Sequence, residues 1–240
     1  MTIEDTEKSF QLDGIEKGIR TLWPSLTDIQ ETLLLSRMVV RQFNKQEVIY
    51  SARSMPHYIL VVLRGKVKVF KDGIGGRNQI IRVVKPVELF GARAYFAGEL
   101  HSSTATTLEP SVIAFIPSEV MMEVIRANSE VSISFIRHLA IHLGHSDTRT
   151  VTLTQKHIRA RLAETLLFLK SQYGMESDGQ TLNIYLSRED LGSLSNMTTS
   201  NAIRTLASLA EDGAVAIEGK KIKILQEDAL QAISQEKLFK

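Results

Sequence analysis

Hydrophobic positions along the chain change their period twice. From about Arg41 to Pro117, short apolar runs dominate: Glu47 to Tyr50, Tyr58 to Leu63, Lys66 to Phe70, Gln79 to Val84 and Ser111 to Ile116. Lys66-Val67-Lys68-Val69 alternates with a period of two, the pattern of a half-buried antiparallel strand. Glycine-bearing turns at Arg64-Gly65, Asp72 to Gly76 and Phe90-Gly91 separate the runs. Several short strands at this spacing predict a sandwich, roll or barrel. Leu26 to Met38 reads as a short helix before it. A brief helix follows from Pro117-Ser118 to Ala127, with Ser118 as its N-cap.

The second change is to a helical period. Glu130 to Leu153 predicts the longest helix, with Ile133, Ile136, Ala140 and Leu143 on one stripe at steps of three and four. A long exposed stripe of this kind forms a two-helix seam between copies of a chain; packing onto its own domain is the alternative. Beyond Leu143 the stripe turns polar, at Asp147 and Thr150. A further helix is expected from His157 to Tyr173, then a strand over Leu182 to Leu186, two helical runs, and a hairpin within Val215 to Leu225 turning near Glu218-Gly219. The fold class is therefore α+β: an antiparallel β-roll, jelly-roll-like, over residues 1–127, a long dimerisation helix over 128–155, and a compact C-terminal domain over 156–240.

The densest chemistry lies between Ser187 and Asp212. Ser187-Arg-Glu-Asp190 has capping-box spacing, with Asp in place of the usual Glu or Gln. The helix it opens is expected to stop at Asn196, a residue that tolerates the left-handed conformation of a tight corner. A second helix starts at Thr198 or Thr199. Helix, one-residue corner, helix and basic-tipped hairpin make the layout of a winged helix-turn-helix. Its second helix fits a major groove. Thr198 caps that helix. Thr199, Ser200, Asn201 and Arg204 are outward candidates for base edges, and Lys220 and Lys221 on the wing for phosphate. An ordinary helical hairpin with a solvated face is the competing reading.

Composition removes other classes. The chain has 240 residues, 43% hydrophobic and 23% charged, as globular proteins do. It has no cysteine, which excludes disulfides, thiolate zinc or iron–sulfur sites and cysteine nucleophiles. Net charge is only +2, and from Gln155 onward seven Lys and four Arg balance eleven acids. A DNA-binding surface must therefore come from local asymmetry. Met1 to Lys17 lacks the apolar core of a secretory signal, and no uncharged apolar stretch approaches a bilayer span, so a soluble, cytoplasmic protein without membrane contact is expected. There is no nucleophile elbow, Walker loop or dinucleotide fingerprint, so no enzyme is expected.

Nearly the whole chain resembles the Crp/Fnr family of bacterial transcription regulators. The resemblance rests on Leu186-Ser-Arg-Glu-Asp-Leu-Gly192, on Asn196-Met-Thr-Thr-Ser-Asn-Ala-Ile-Arg-Thr-Leu206, on Glu211-Asp-Gly213 before the wing, on Arg161 to Leu169, and on Tyr58 to Val69 in the roll. It implies a homodimer on inverted-repeat double-stranded DNA, a small effector in the roll, and RNA polymerase as a further partner. It also implies a phosphate contact for Arg188 and base reading for Arg204. Ser200 stands where the family usually has a cytosine-reading Glu, and Thr199 where some members have Arg. A serine cannot replace a carboxylate as an acceptor, so the operator should differ from the family's commonest half-site.

The effector site departs further. Where cyclic-nucleotide-binding members carry Phe-Gly-Glu-Leu and, about ten residues on, Arg-Ser/Thr-Ala, this chain has Phe90-Gly91-Ala92-Arg93-Ala94 and His101-Ser102-Ser103-Thr104-Ala105. Ala92 replaces the ribose-binding Glu and Ser102 the phosphate-binding Arg. Arg93 would face away if this segment were an extended strand. The resemblance thus predicts an unidentified effector other than cyclic AMP, with Gly91, Ala92, Arg93, Ala94, His101, Ser102, Ser103 and Asp147 around it. Some relatives sense gases through haem. His138, His142 and His145 share a helix face that could supply a ligand or form a polar stripe, and no metal is assigned. His57 reads as a turn residue. A second function remains open: a small-molecule sensor whose C-terminal domain has lost DNA binding and contacts a protein.

Overall fold

The computed structural model describes residues 14–236. Packing groups the chain into two units, residues 1–71 with 81–142, and residues 72–80 with 143–240. The expected start of the charged N-terminus lies outside the described residues.

The first unit, with Asp72 and Asn78 to Ile80 of the second, holds an antiparallel roll of β1 (Val39–Phe43), β2 (Val48–Tyr50), β3 (Tyr58–Arg64), β4 (Val67–Asp72), β5 (Asn78–Val84), β6 (Glu88–Phe90), β7 (Thr104–Thr107) and β8 (Ser111–Pro117). One sheet runs β1-β8-β3-β6 and the other β2-β7-β4-β5. Strand β3 lies between β8 and β6, and Ile59 to Val62 are all buried. That explains why this run is continuously apolar where Lys66 to Val69 alternates. Its alternate residues serve two cores. Leu60 and Val62 join Val67, Val69, Ile113 and Phe115 between the sheets. Ile59 and Val61 join Trp23, Leu34, Ile116 and Met121 beneath the helices.

Those helices are α1 (residues 14–22) and α2 (Asp28–Arg37). The latter is capped by Thr27, whose hydroxyl accepts from the Gln30 amide while the Gln30 side chain accepts from the Thr27 amide. Helix α3 (Ala92–Phe96) follows β6, and α4 (Ser118–Ala127) follows β8. Ser118 is not the N-cap of α4. Pro117 holds that position, and the Ser118 hydroxyl turns inward to donate to the Pro56 carbonyl at 3.0 Å. Strands β1, β6 and β7 were not evident as apolar runs. β7 is Thr-Ala-Thr-Thr, and its polar side chains bond to the backbone opposite, as Thr107 Oγ1 does to Asn44 O.

Helix α5 (Ser129–Gln155) is the predicted long helix, with two faces. Its first turn is capped by Asn128 Oδ1, which accepts from the Glu130 and Val131 amides. Val131 and Phe135 are buried, and the Phe135 ring stacks on Trp23 at 5.6 Å. The predicted stripe lies elsewhere on the helix: Ile133 is 46%, Ile136 61% and Leu143 63% exposed, and Ala140 is exposed. Packing onto its own domain is thus taken by Val131 and Phe135, not by the stripe.

In the second unit, α6 (Ile158–Tyr173), α7 (Arg188–Leu194), α8 (Thr199–Glu211) and α9 (Glu227–Ser234) surround a core of Leu162, Leu166, Leu169, Leu191, Leu206 and Leu209, with β9 (Val215–Glu218) and β10 (Lys221–Ile224) as a hairpin. The strand expected over Leu182 to Leu186 does not form. Only isolated bridges, Met175 to Leu182 and Thr181 to Lys223, occur there. Leu182, Ile184 and Leu186 are all buried, and the segment is held by single backbone bonds, from Leu182 N to Ile222 O and from Asn183 N to Gly174 O, in place of a continuous ladder.

Candidate nucleic-acid interface and effector site

The corner between α7 and α8 is built as its residue types require. Ser187 Oγ accepts from the Asp190 amide at 3.0 Å and starts α7. Asn196 takes φ 52°, the left-handed conformation expected of it. Gly192 is required by close approach, because a Cβ there would lie 3.0 Å from Met197 O and 3.4 Å from the Ala202 Cβ. The Met197 amide donates to the Gly192 carbonyl at 2.9 Å, closing the turn. Ser195, fully buried, donates to Leu191 O. Arg149, late in α5, donates through Nη2 to Leu194 O at 2.7 Å and to Ile80 O at 2.5 Å. The end of α7 is thus satisfied by a half-buried guanidinium that sequence patterning had no means to reveal.

Helix α8 begins with Thr198, whose hydroxyl accepts from the Asn201 amide at 3.2 Å. Ala202, Thr205, Leu206 and Leu209 point inward. Thr199, Ser200, Ile203 and Arg204 are exposed, and Asn201 is half-buried. Arg204 Nη2 donates to Asn201 Oδ1 at 2.6 Å, which orients the guanidinium before any ligand arrives. Of the five predicted residues Thr198, Thr199, Ser200, Asn201 and Arg204, four are therefore exposed toward the N-terminal end of the helix, and Asn201 is half-buried. Ile203, which the polar reading passed over, sits among them.

The wing differs from the simple expectation of two phosphate-binding lysines. Its turn is Gly219-Lys220, between paired Glu218 and Lys221. Lys220 is exposed at the tip. Lys221 Nζ instead lies 3.1 Å from Glu176 Oε2 and 5.4 Å from the centre of the Tyr185 ring. Glu176 also accepts from the Tyr185 hydroxyl. This network raises the Lys221 pKa and lowers that of Glu176, whose largest cause is the Tyr185 hydrogen bond. Arg188 is likewise committed: Nη2 donates to Gly219 O at 2.7 Å, tying α7 to the wing, while Nη1 is buried and makes no hydrogen bond.

In the first unit, the predicted effector residues divide into two groups. Gly91 has φ 80° and caps α3. Ala92 and Ala94 are buried, Ala92 in the core with Leu89 and Ile116. Neither alanine side chain is exposed. Arg93 is on a helical turn, not the extended strand assumed for it, so the argument that it must face away does not hold. Its Nη2 donates to Ser102 Oγ at 3.0 Å, and its Nη1 lies 3.0 Å from Glu99 Oε2. The guanidinium therefore reaches the residue that replaces the family's arginine.

His101 is buried and stacks on Tyr50 with centroids 3.9 Å apart. Burial first, then Arg93, pushes its pKa down. Tyr50, which sequence reasoning missed, hydrogen-bonds with Ser103, and burial raises its pKa. Asp147 is exposed and belongs to the second unit. His138 and His142 have ring centroids 4.3 Å apart, and burial followed by Arg82 pushes the His138 pKa down to about 4. His145 lies in the second unit, and among the described residues no three His, Asp or Glu side chains are placed to hold a metal ion. No described helix is long and apolar enough to cross a membrane.

Comparison with known proteins accounts for both units. Residues 40–128 match the cyclic nucleotide-binding domain, and residues 160–233 match the Crp-like helix-turn-helix domain. The chain is 24% identical over 173 residues to the CRP-like cAMP-activated global transcriptional regulator of Mycobacterium tuberculosis, covering 72% of this chain and 77% of that protein. It is 24% identical to the cyclic AMP receptor protein of Thermus thermophilus over 213 residues, 89% and 96% of the two chains. The structure of FixK2 from Bradyrhizobium japonicum superposes with a TM-score of 0.75 at 20% identity, over 83% of this chain and 98% of that one. With both domain types in order along it, the chain belongs to the Crp/Fnr family of DNA-binding transcription regulators.

Proposed function

We propose that the protein acts as a homodimer on an inverted-repeat operator, each α8 entering a major groove, under control of a small effector other than cyclic AMP held in the roll. The observation that carries this reading is the first two turns of α8, where Thr199, Ser200 and Arg204 are exposed together behind a preformed corner at Asn196. The N-terminal residues of such a helix read base edges. Dimerisation is supported by the exposed stripe of Ile133, Ile136, Ala140 and Leu143. The domain division expected from sequence, a roll through residue 127, a helix over 128–155 and a DNA-binding domain from 156, suits this mechanism. RNA polymerase is the natural partner of a regulator so placed.

Two named relatives respond to or receive cyclic AMP, yet this roll has a buried alanine in place of the ribose-binding acid, and its nearest arginine is paired with Glu99. Titration calorimetry with cyclic AMP should therefore give no heat at micromolar concentration; saturable binding there would overturn that part. Arg93, His101, Ser102 and Ser103, with Tyr50, are the side chains around which an effector would bind.

The deciding experiment is selection from a random duplex pool by the purified protein at about 0.15 M salt, where weak nonspecific contacts are screened. An enriched inverted repeat is expected, with or without small molecules from a cell extract. Failure to enrich any sequence under both conditions would overturn DNA reading and leave the C-terminal unit as a protein-binding domain.

A further inference from the structure

Among the exposed residues of the first two turns of α8, Thr199, Ser200, Ile203 and Arg204, one side chain has no polar atom. Ile203 is 50% exposed, while Ala202 and Leu206 on either side are buried. A single exposed aliphatic residue is ordinary on a protein surface, so exposure alone assigns nothing. Its neighbours give it a role. Thr199 and Ser200 lie four and three residues before it, one helical turn away on the same face, and Arg204 follows it. The Arg204 guanidinium is held to Asn201 Oδ1 at 2.6 Å, three residues back along the helix.

The floor of the major groove is almost wholly polar. Its one apolar group in unmodified DNA is the C5 methyl of thymine. An isoleucine pressed against any other base edge would strip water from donors or acceptors without replacing their hydrogen bonds. Consecutive Cα atoms are about 3.8 Å apart, close to the roughly 3.4 Å rise between stacked bases on one strand. Two adjacent residues near the start of a groove-bound helix can therefore reach neighbouring base pairs. We infer that Ile203 determines specificity by packing against the methyl of a thymine in each half-site, one base step from the guanine contacted by Arg204. This rests on the proposed entry of α8 into the major groove.

The test uses the full-length protein and the selected operator. Each thymine pair of the repeat is replaced in turn by deoxyuridine, which removes the methyl and nothing else, and affinity is read by fluorescence anisotropy. At one symmetric position the wild-type protein should lose about fourfold per half-site, the value of one buried methyl-sized group. Ile203→Ala should bind the thymine operator more weakly and be indifferent to the methyl at that position, while keeping wild-type affinity for nonspecific duplex, which reports an intact fold. The guanine whose replacement no longer matters in Arg204→Ala should lie next to that thymine. Uracil effects equal in wild type and Ile203→Ala at every position, or an operator with no thymine beside that guanine, would overturn the inference while leaving DNA reading intact. A selection that enriches nothing would overturn both.

Discussion

Arg204 illustrates how an exposed side chain can be held in place by its own helix. Its guanidinium is tethered to Asn201, and Asn201 is in turn fixed by the Thr198 cap through its amide. Preorganisation of this kind lowers the ordering cost of a bidentate contact with guanine. Arg204→Ala should cost about 1–3 kcal/mol at one base position and relax preference there, measured by competition between operators differing at that base. Unchanged affinity and preference would sink the assignment.

His138 carries the opposite kind of commitment. Its pKa is depressed from 6.5 to about 4, chiefly by burial and then by Arg82, with His142 beside it. The unfolded chain therefore binds more protons than the folded one between those values, and stability is present above about pH 6.5 and lost as pH falls toward 4. Thermal melts from pH 7.5 to 5 should show a falling Tm that is shallower in His138→Gln. Equal slopes would show that other groups dominate.

At the scale of elements, the helix-turn-helix was legible because its determinants are local. Ser187 and Thr198 cap α7 and α8, Asn196 takes the left-handed corner, and each acts within four residues of its own position. The helix crossing also depends on Gly192, whose missing side chain leaves room for Met197 O and Ala202. Gly192→Val should destabilise the second unit by about 1–3 kcal/mol in chemical denaturation, the usual cost of overpacking. A neutral effect would mean that the two helices can move apart freely. Elements defined by pairing were less legible. Leu182 to Leu186 carries a strand's alternation but pairs only through an isolated bridge and single bonds at its start, and Thr104 to Thr107 carries none yet pairs with both β2 and β4. Alternation reports which side chains are buried, and says nothing of which backbone lies opposite.

For the whole molecule, the question is what covers the α5 stripe. Ile136 and Leu143 are more than half exposed in a helix otherwise anchored by Val131 and Phe135. Burying such side chains contributes about 1.5–3 kcal/mol each. The double variant Ile136→Asp/Leu143→Asp should therefore be monomeric in analytical ultracentrifugation, with its far-ultraviolet circular dichroism preserved. A dimeric double variant would exclude the stripe as the seam.

The sequence by itself determined the roll's central strands, the long helix with its exposed stripe, and the positions of the corner and recognition helix, because spacing and caps are properties of contiguous residues. The tertiary structure alone decided that Arg93 sits on a helical turn reaching Ser102, and that Tyr50 lies against His101 across some fifty positions. It likewise decided that Arg188 ties α7 to Gly219, that Lys221 is paired with Glu176, and that Arg149 closes α7. Apart from Arg93 and Ser102, nine positions apart, these are contacts between residues distant in the chain. A long polar side chain has many partners within reach, and only the packed fold selects which of them it meets.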